Sequence, residues 1–299
     1  MKIAILILCH KNPKQINLLL DKLNHQDIDC YIHIDKKADF ANKITKRSNI
    51  VLLPDEKRVS VEWAQISMVT ATINLVEEAH RHGKYDYYWL TSGQDWPLYS
   101  ADEIVNFFKN HDGENFIQYW DSKNYGNHLQ NNLDKRNQIY FPLWMIGRRL
   151  WQKVVKRGWV ELTGGYNRTW KSFMRKQLQI EFYFGSQWWA LTGETVEWII
   201  NYLGQHEDYY IFYKNTVCPD ESFFQTLVMM SPYADKKTDY LTYLHFSEGA
   251  NSPDILRASD FPQAKESGCL VMRKVDMDVD DFFAVSYTHL RAHETTLHL

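Results

Sequence analysis

The fold is indicated most clearly by the stretch KIAILILCHKNPKQINLLLDKLNHQDIDCYIHID, residues 2–35. Its apolar run over residues 2–9 has the length and composition of a strand that is buried on both faces. Asn12 and Gln15 then match the two ends of a capping box at the start of a helix. Residues 29–35 form a second strand-like run. A strand, a helix and a strand in this order predict the first unit of an α/β sheet.

The same alternation continues outward from this stretch as far as residue 120. Three further strand-like runs follow, at residues 49–54, 85–90 and 115–120. A long helical pattern ends at Gly83, and Ser100 with Glu103 forms a second capping box before another apolar helix face. We therefore predict an α/β fold with a mostly parallel central sheet flanked by helices, in a single domain over residues 1–284.

The C-terminal half contains weaker versions of the same signals. Strands are expected at residues 185–191, 241–246 and 269–276. Residues 219–221 are expected to open a helix over residues 222–229, with Asp220 as its N-cap. Residues 121–180 change in character and are interpreted as a variable, acceptor-side segment. Residues 285–299 hold three of the twelve histidines and are interpreted as a non-native tail without function.

Composition excludes several classes of protein. The chain has 299 residues, of which 44% are hydrophobic and 24% charged, so it has enough apolar material for a packed core. A net charge of −3 gives no global basic field of the kind that marks a nucleic-acid-binding protein. Aromatic residues reach 15%, and such rings either pack in a core or stack on the apolar faces of sugars.

The cysteines and the first apolar run indicate the cellular compartment of the protein. Four cysteines without a CxxC pair predict neither a zinc knuckle nor a disulfide scaffold. The run over residues 3–9 is too short to span a bilayer and resembles no signal peptide. We therefore expect a cytoplasmic protein, in contact at most with the inner face of the membrane.

Residues 137–160 stand out because they contain five cations and five aromatic rings but no acidic residue. A solvated basic helix is the simpler interpretation of this pattern. The alternative is a patch that contacts a membrane surface or an anionic acceptor, since basic and aromatic residues together suit an interface.

Polar residues follow three of the predicted strands. His10 comes after the first strand, Asp35 ends the second, and Asp95 closes the turn after the fourth. Ligands of open α/β sheets bind beyond the carboxyl ends of the strands, so these three residues are expected to meet at one rim. A metal site built from them and His33 is conceivable, but no HxH or HxxxH spacing supports it.

Two other groups have both a structural and a functional interpretation. Glu221 is either a helix-capping acid or a general base held at the rim of a cleft. Arg273 and Lys274, on the last predicted strand, are either a surface pair or a clamp for phosphate oxygens. No GxGxxG, P-loop or GxSxG sequence is present, so nothing indicates a dinucleotide site, a P-loop or a nucleophile elbow.

Six motifs in one order carry a resemblance to a known family. They are HKNPKQINLLL (10–20), YIHIDKK (31–37), YDYYWLTSGQDWPL (85–98), GSQWWALT (185–192), PDESFFQTL (219–227) and LVMRKVD (270–276). Together they resemble the core-2/I-branching β-1,6-N-acetylglucosaminyltransferases, a family that includes peptide O-xylosyltransferases. The resemblance extends over residues 1–284 and is weakest over 121–180.

The resemblance implies a GT-A fold and sugar transfer with inversion, without a divalent metal. Glu221 matches the family's catalytic base, Asp35 an acid that contacts the nucleotide, and Lys274 a cation that replaces the metal at the diphosphate. Two positions depart from the family pattern: Thr242 stands where a second basic residue is common, and Ala64 begins a pair that is usually Gly-Gly.

The expected function is transfer of a sugar, GlcNAc or xylose, from a UDP-sugar to a glycan, a lipid-linked glycan or another hydroxyl acceptor. A bacterial surface-polysaccharide pathway is the expected setting, with no cofactor and no nucleic-acid partner. The residues assigned to donor binding are His10, Asp35, Asp95, Arg273 and Lys274; those assigned to the acceptor are Trp188, Trp189 and Asp220. The alternatives are an inactive glycan-binding protein on the same fold, and a metal-dependent hydrolase using His10, Asp35 and Asp95.

Overall fold

A computed structural model describes residues 1–120, 136, 139–147, 149–162, 178–250 and 252–282. The strands in these ranges are β1 (Ile3–Cys9), β2 (Ile28–Ile34), β3 (Ile50–Leu52), β4 (Tyr87–Ser92), β5 (Asp95–Pro97), β6 (Asn115–Ile117), β7 (Trp189–Thr192), β8 (Lys237–Thr238), β9 (Thr242–Leu244) and β10 (Val271–Arg273). Seven of them form the central sheet in the order β3-β2-β1-β4-β7-β6-β8.

The central sheet is mostly parallel, as predicted. Strands β3, β2, β1 and β4 run in one direction, and β6 and β8 pair in parallel with each other. Only β7 runs against its neighbours β4 and β6. Because β7 is reversed, its first residue lies at the same edge of the sheet as the carboxyl ends of β4 and β6.

Helices cover both faces of the sheet. The described helices are α1 (Pro13–Lys22), α2 (Ser67–His82), α3 (Ala101–Asn110), α4 (Leu150–Leu162), α5 (Gly193–Gln205), α6 (Glu207–Tyr213), α7 (Phe223–Met230) and α8 (Phe261–Glu266). Along β1 the odd-numbered side chains pack with α1 and α3, whereas the even-numbered ones pack with α2, α5, α6 and α7. This alternation explains why the strand is apolar throughout.

A second, three-stranded sheet has the order β5-β10-β9. Strand β5 follows β4 after a two-residue turn, so the small sheet begins at the carboxyl edge of the large one. Its own core contains Trp96, Leu256 and Met272. The small sheet therefore carries Arg273, the last residue of β10, to the rim where the predicted donor residues lie.

The predicted strands are present, most of them shorter than expected, and two of the predicted helix caps are wrong. Ser100 and Glu103 form the predicted capping box. Asn12 caps α1, but the Gln15 side chain turns inward instead of completing a box. Asp220 is not an N-cap: it lies in a separate 3₁₀ turn, Pro219–Glu221, and α7 begins after Ser222, whose φ of −143° is not helical.

Two of the predicted segments fall wholly or mostly outside the described residues. Residues 283–299, which include the predicted tail, lie outside the described residues, as does most of the segment 121–180. All four cysteines are free. No helix among the described residues is both long enough and apolar enough to cross a membrane.

Candidate active site

The carboxyl edge of the central sheet brings the predicted donor residues together. The backbone N–H of Asp35 donates to the Cys9 carbonyl at 2.8 Å, which joins the ends of β2 and β1. The Gly93 N–H donates to the Leu8 carbonyl at 3.0 Å, which joins the turn after β4 to β1. His10 and Asp35 therefore lie on neighbouring strand ends, and the turn that ends at Asp95 adjoins them.

Asp35 organises a loop beside this edge. Its buried carboxylate accepts hydrogen bonds from the backbone N–H groups of Lys37, at 2.8 Å, and Val61, at 3.3 Å. The Arg58 guanidinium donates to the Asp35 carbonyl at 3.0 Å. This acid therefore positions the 59–61 loop that borders the edge.

His33 has a structural role. Its Nε2 accepts a hydrogen bond from the Val59 N–H at 2.9 Å, and burial lowers the pKa of the imidazole to about 4. The ring is therefore neutral, and one nitrogen is already occupied by the backbone.

Arg273 is held between an acid and an indole ring. Its Nη1 contacts Asp95 Oδ1 at 2.7 Å across the β5–β10 pair, and its guanidinium carbon lies 4.1 Å from the centroid of the Trp188 ring. The other Asp95 oxygen accepts the Ser92 N–H at 2.9 Å. Both Asp95 oxygens thus accept a hydrogen bond, and Arg273 is fixed in direction, because a flat cation is attracted to the face of an indole ring.

Positive charge concentrates next to His10. Burial is the largest cause that lowers the pKa of His10, and the cations Lys11, Arg273 and Lys274 lower it further. Lys274 is placed by its backbone, since its carbonyl accepts the Leu256 N–H at 2.7 Å. A neutral imidazole beside three cations is an environment that favours an anionic ligand.

Gln15 holds the parts of this edge together, and sequence analysis missed it. Its side-chain nitrogen donates to the carbonyls of Gly93, at 2.9 Å, and Val275, at 3.0 Å. Its oxygen accepts the Met277 N–H at 3.0 Å. The sequence contained a signal for this role, because Gln15 lies four residues before Leu19 on the apolar face of α1. A polar side chain on such a face is buried only if its polar atoms form hydrogen bonds.

The turn Pro219–Glu221 is attached to two neighbouring segments. The Cys218 N–H donates to the Ala64 carbonyl at 2.9 Å, and the Gly185 N–H donates to the Glu221 carbonyl at 2.8 Å. Residues 185–188 then lead to Trp188, whose ring contacts Arg273. A four-residue segment spans at most about 13 Å, so a short piece of chain connects the turn with the candidate base to the ring that holds the fixed cation.

The Glu221 carboxylate is partly open and carries an ion pair. Its side chain is 39% exposed, and Oε2 contacts Nη1 of Arg136. Arg136 is a second functional candidate that sequence analysis missed. It lies 85 residues away in a segment without a motif, so nothing in the sequence connects the two.

Asp220, next to Glu221, is in a different environment. Its Oδ1 is buried without a hydrogen-bond partner. Burial, followed by the neighbouring Glu221 carboxylate, raises the pKa of Asp220 to about 7. A buried carboxyl group with a raised pKa is a common feature of catalytic sites.

The two adjacent tryptophans have different surroundings. Trp188 precedes β7, is itself only 7% exposed, and lies against Arg273. Trp189 is 2% exposed, and its ring centroid lies 5.1 Å from that of Phe224 in the core. Of the two rings, Trp188 is the one in contact with a residue of the candidate site.

In the part of the chain that the structure describes, no three His, Cys, Asp or Glu side chains gather closely enough to hold a metal ion. The acids proposed for the hydrolase alternative have other contacts: Asp35 binds the 59–61 loop and Asp95 binds Arg273.

Comparison with known proteins finds similarity to several xylosyltransferases. The xylosyltransferase of Ciona intestinalis is 23% identical over 256 residues, which cover 80% of this chain and 26% of that protein. Xylosyltransferase 1 of Homo sapiens is 21% identical over 255 residues, which cover 80% of this chain and 23% of that protein. Xylosyltransferase oxt of Drosophila melanogaster is 23% identical over 243 residues, which cover 76% of this chain and 24% of that protein. The chain spans about a quarter of the length of these relatives.

A family match covers almost the whole described fold. The sequence model of the Core-2/I-Branching enzyme family matches residues 3–265, a range that includes the central sheet, the Asp35 loop and the turn with Glu221. The chain therefore belongs to the Core-2/I-Branching enzyme family of glycosyltransferases.

Proposed function

We propose that the protein transfers a sugar, GlcNAc or xylose, from a UDP-sugar to a hydroxyl group of a glycan acceptor. The transfer inverts the anomeric centre and uses no divalent metal. The observation that supports the proposal is the segment 185–188, which is bonded to the Glu221 carbonyl at one end and carries at the other the Trp188 ring that contacts Arg273, the neighbour of Lys274. The similarity to xylosyltransferases supports the class of reaction.

In the proposed reaction Glu221 is the general base. It accepts the proton of the acceptor hydroxyl while that oxygen forms a bond to the anomeric carbon. The bond from that carbon to the diphosphate oxygen breaks on the opposite side, and UDP leaves with the bonding electrons. Arg136 contacts Oε2 in the free protein, so we assign Oε1 as the oxygen that takes the proton.

The leaving diphosphate gains negative charge, and fixed cations stabilise it. Arg273 cannot swing away, because Asp95 and Trp188 hold its guanidinium. Following the resemblance to the family, we assign the larger electrostatic contribution to Lys274. His10 adds a neutral donor, and Asp35 positions the loop against which the nucleotide lies.

Acceptor recognition is assigned to Trp188 and Asp220. Trp188 borders the fixed cation, and Asp220 lies beside the base. We further propose that the acceptor is a growing surface polysaccharide in a bacterial cell. The choice between GlcNAc and xylose depends on pocket shape around one CH₂OH group and the N-acetyl group.

The test separates donor binding from chemistry. Calorimetric titration of UDP in EDTA is expected to show binding to the wild-type chain and to Glu221→Gln within about twofold, and at least tenfold weaker binding to Lys274→Ala. Glu221→Gln is expected to lower turnover of UDP-GlcNAc or UDP-xylose about 10²-fold or more. Lys46→Ala, on an exposed loop, serves as the control for loss of a charge.

Each alternative function has its own outcome in this experiment. An inactive glycan-binding protein would bind UDP weakly or not at all and show no turnover for Glu221→Gln to remove. A metal-dependent hydrolase would be inactive in EDTA and regain activity with a divalent ion. Unchanged UDP binding in Lys274→Ala would remove the proposed role of this cation.

A further inference from the structure

Helix α4 and the turn before it present an exposed face that the proposed chemistry does not use. Leu150 is 77% exposed, Val154 64% and Trp144 57%. The rings of Trp144 and Trp151 are nearly parallel, with centroids 6.3 Å apart. Residues one turn apart share a side of a helix, so these four side chains form one apolar surface, called here the outer face of α4.

A basic stripe borders this apolar surface. Arg149, Lys153 and Arg157 follow one another at intervals of four residues and are all exposed. This spacing places them in one row along the helix. Glu161 is the one acidic residue on the exposed side of α4. Because the whole chain has a net charge of −3, the stripe is a local feature and not a consequence of overall composition.

The opposite side of α4 attaches the helix to the candidate active site. Trp159 and Val160 pack against a cluster that includes Ala64 and Cys218, and the Trp159 indole donates to the Tyr140 carbonyl at 3.0 Å. Cys218 directly precedes the turn with Glu221. The outer face is therefore held beside the candidate base.

This combination fits an anionic lipid bilayer. Apolar and aromatic side chains enter the boundary between headgroups and acyl chains, and lysine and arginine beside them contact the phosphates. The 13 residues of α4 span about 20 Å at 1.5 Å per residue, less than the ~30 Å hydrocarbon core. The helix is thus suited to lie along the surface.

We propose that the outer face of α4 binds the surface of an anionic bilayer and orients the cleft towards it. A consequence is that the sugar acceptor is attached to a lipid in that bilayer. This consequence rests on the proposed function. Bilayer binding is measured without any sugar, so its test does not depend on the proposed function.

The test is co-flotation of the full chain with lipid vesicles. Wild-type protein is expected to float with phosphatidylcholine vesicles that contain about one-third phosphatidylglycerol, and to remain unbound with phosphatidylcholine alone. Neutralising the stripe with Lys153→Gln and Arg157→Gln is expected to weaken binding at least tenfold. Replacing the apolar side chains with Leu150→Ser and Trp151→Ser is expected to do the same at constant charge.

Matched controls make the result specific. The pair Lys46→Gln and Lys109→Gln removes the same charge from exposed positions elsewhere and is expected to bind as the wild type does. The far-ultraviolet circular dichroism spectrum and the midpoint of thermal unfolding should be unchanged in all three variants, which shows that each is folded. No flotation of wild-type protein with anionic vesicles, or equal flotation of the α4 variants, would overturn the proposal. So would sedimentation of vesicle-free protein as a dimer that Leu150→Ser and Trp151→Ser dissociate.

Discussion

At the scale of the residue, Asp220 makes the most direct prediction about pH. Its folded-state pKa is raised to about 7 by burial and by Glu221, so the folded protein keeps a proton that the unfolded chain releases near pH 4. The free energy of unfolding therefore falls as the pH rises from about 4 to about 7 and is level above. Asp220→Asn removes this fall. The free energy of unfolding of the variant relative to that of the wild type is therefore expected to be about 1–3 kcal/mol higher at pH 8 than at pH 4.5.

Urea unfolding of both proteins at pH 4.5, 6 and 8 measures this difference. The control is Asp235→Asn, an exposed acid in another 3₁₀ turn, which should show no such trend relative to the wild type. A difference between Asp220→Asn and the wild type that stays constant with pH would contradict the expected protonation of Asp220.

At the scale of the element, the segment that joins Glu221 to Trp188 depends on a close approach of two backbones. A Cβ at Gly185 would lie 1.9 Å from the carbonyl oxygen of Gln118, the residue after β6. Gly185→Ala must therefore displace the segment or the strand end. We expect the free energy of unfolding to fall by about 1–3 kcal/mol and turnover to fall with it.

Chemical denaturation and a turnover assay test this prediction together. Gly204→Ala is the matched control, because a Cβ there meets nothing within 4 Å. That variant is expected to be as stable as the wild type or slightly more stable, since alanine favours helix. Equal stability of Gly185→Ala and the wild type would show that the segment tolerates the displacement.

At the scale of the whole molecule, Gln15 links three distant parts of the chain. One amide joins α1 to the turn after β4 and to the segment after β10, across 78 and 260 residues. Gln15→Glu has the same shape but cannot donate to the two carbonyls. We expect a loss of about 2–3 kcal/mol in the free energy of unfolding. We also expect weaker UDP binding, because Arg273 and Lys274 lose their attachment to the rim.

The UDP measurement separates positioning from general stability. It is made at a temperature where both proteins are fully folded, alongside Gln26→Glu, an exposed change of the same kind. A stability loss with an unchanged UDP dissociation constant would limit Gln15 to a structural role. A weaker UDP affinity that Gln26→Glu does not share would confirm the positioning role.

The order of strands and helices was predictable because it depends on local pattern. The apolar run of β1, the capping box at Ser100 and the alternation as far as residue 120 each need only neighbouring residues to specify them. The convergence of His10, Asp35 and Asp95 was predictable for a related reason. Parallel strands place their carboxyl ends at one edge whatever the details of packing.

Only the tertiary structure decided which side chains act together. Local rules placed Gln15 in a capping box and Asp220 at an N-cap, and both were wrong. For Gln15, three buried hydrogen bonds to distant backbone groups outweigh one bond at an exposed helix start. The contacts of Arg136 with Glu221 and of Trp188 with Arg273 join residues 85 apart. Sequence by itself therefore determined the sheet and its functional edge, while the arrangement of charge at that edge arose from contacts between segments far apart in the chain.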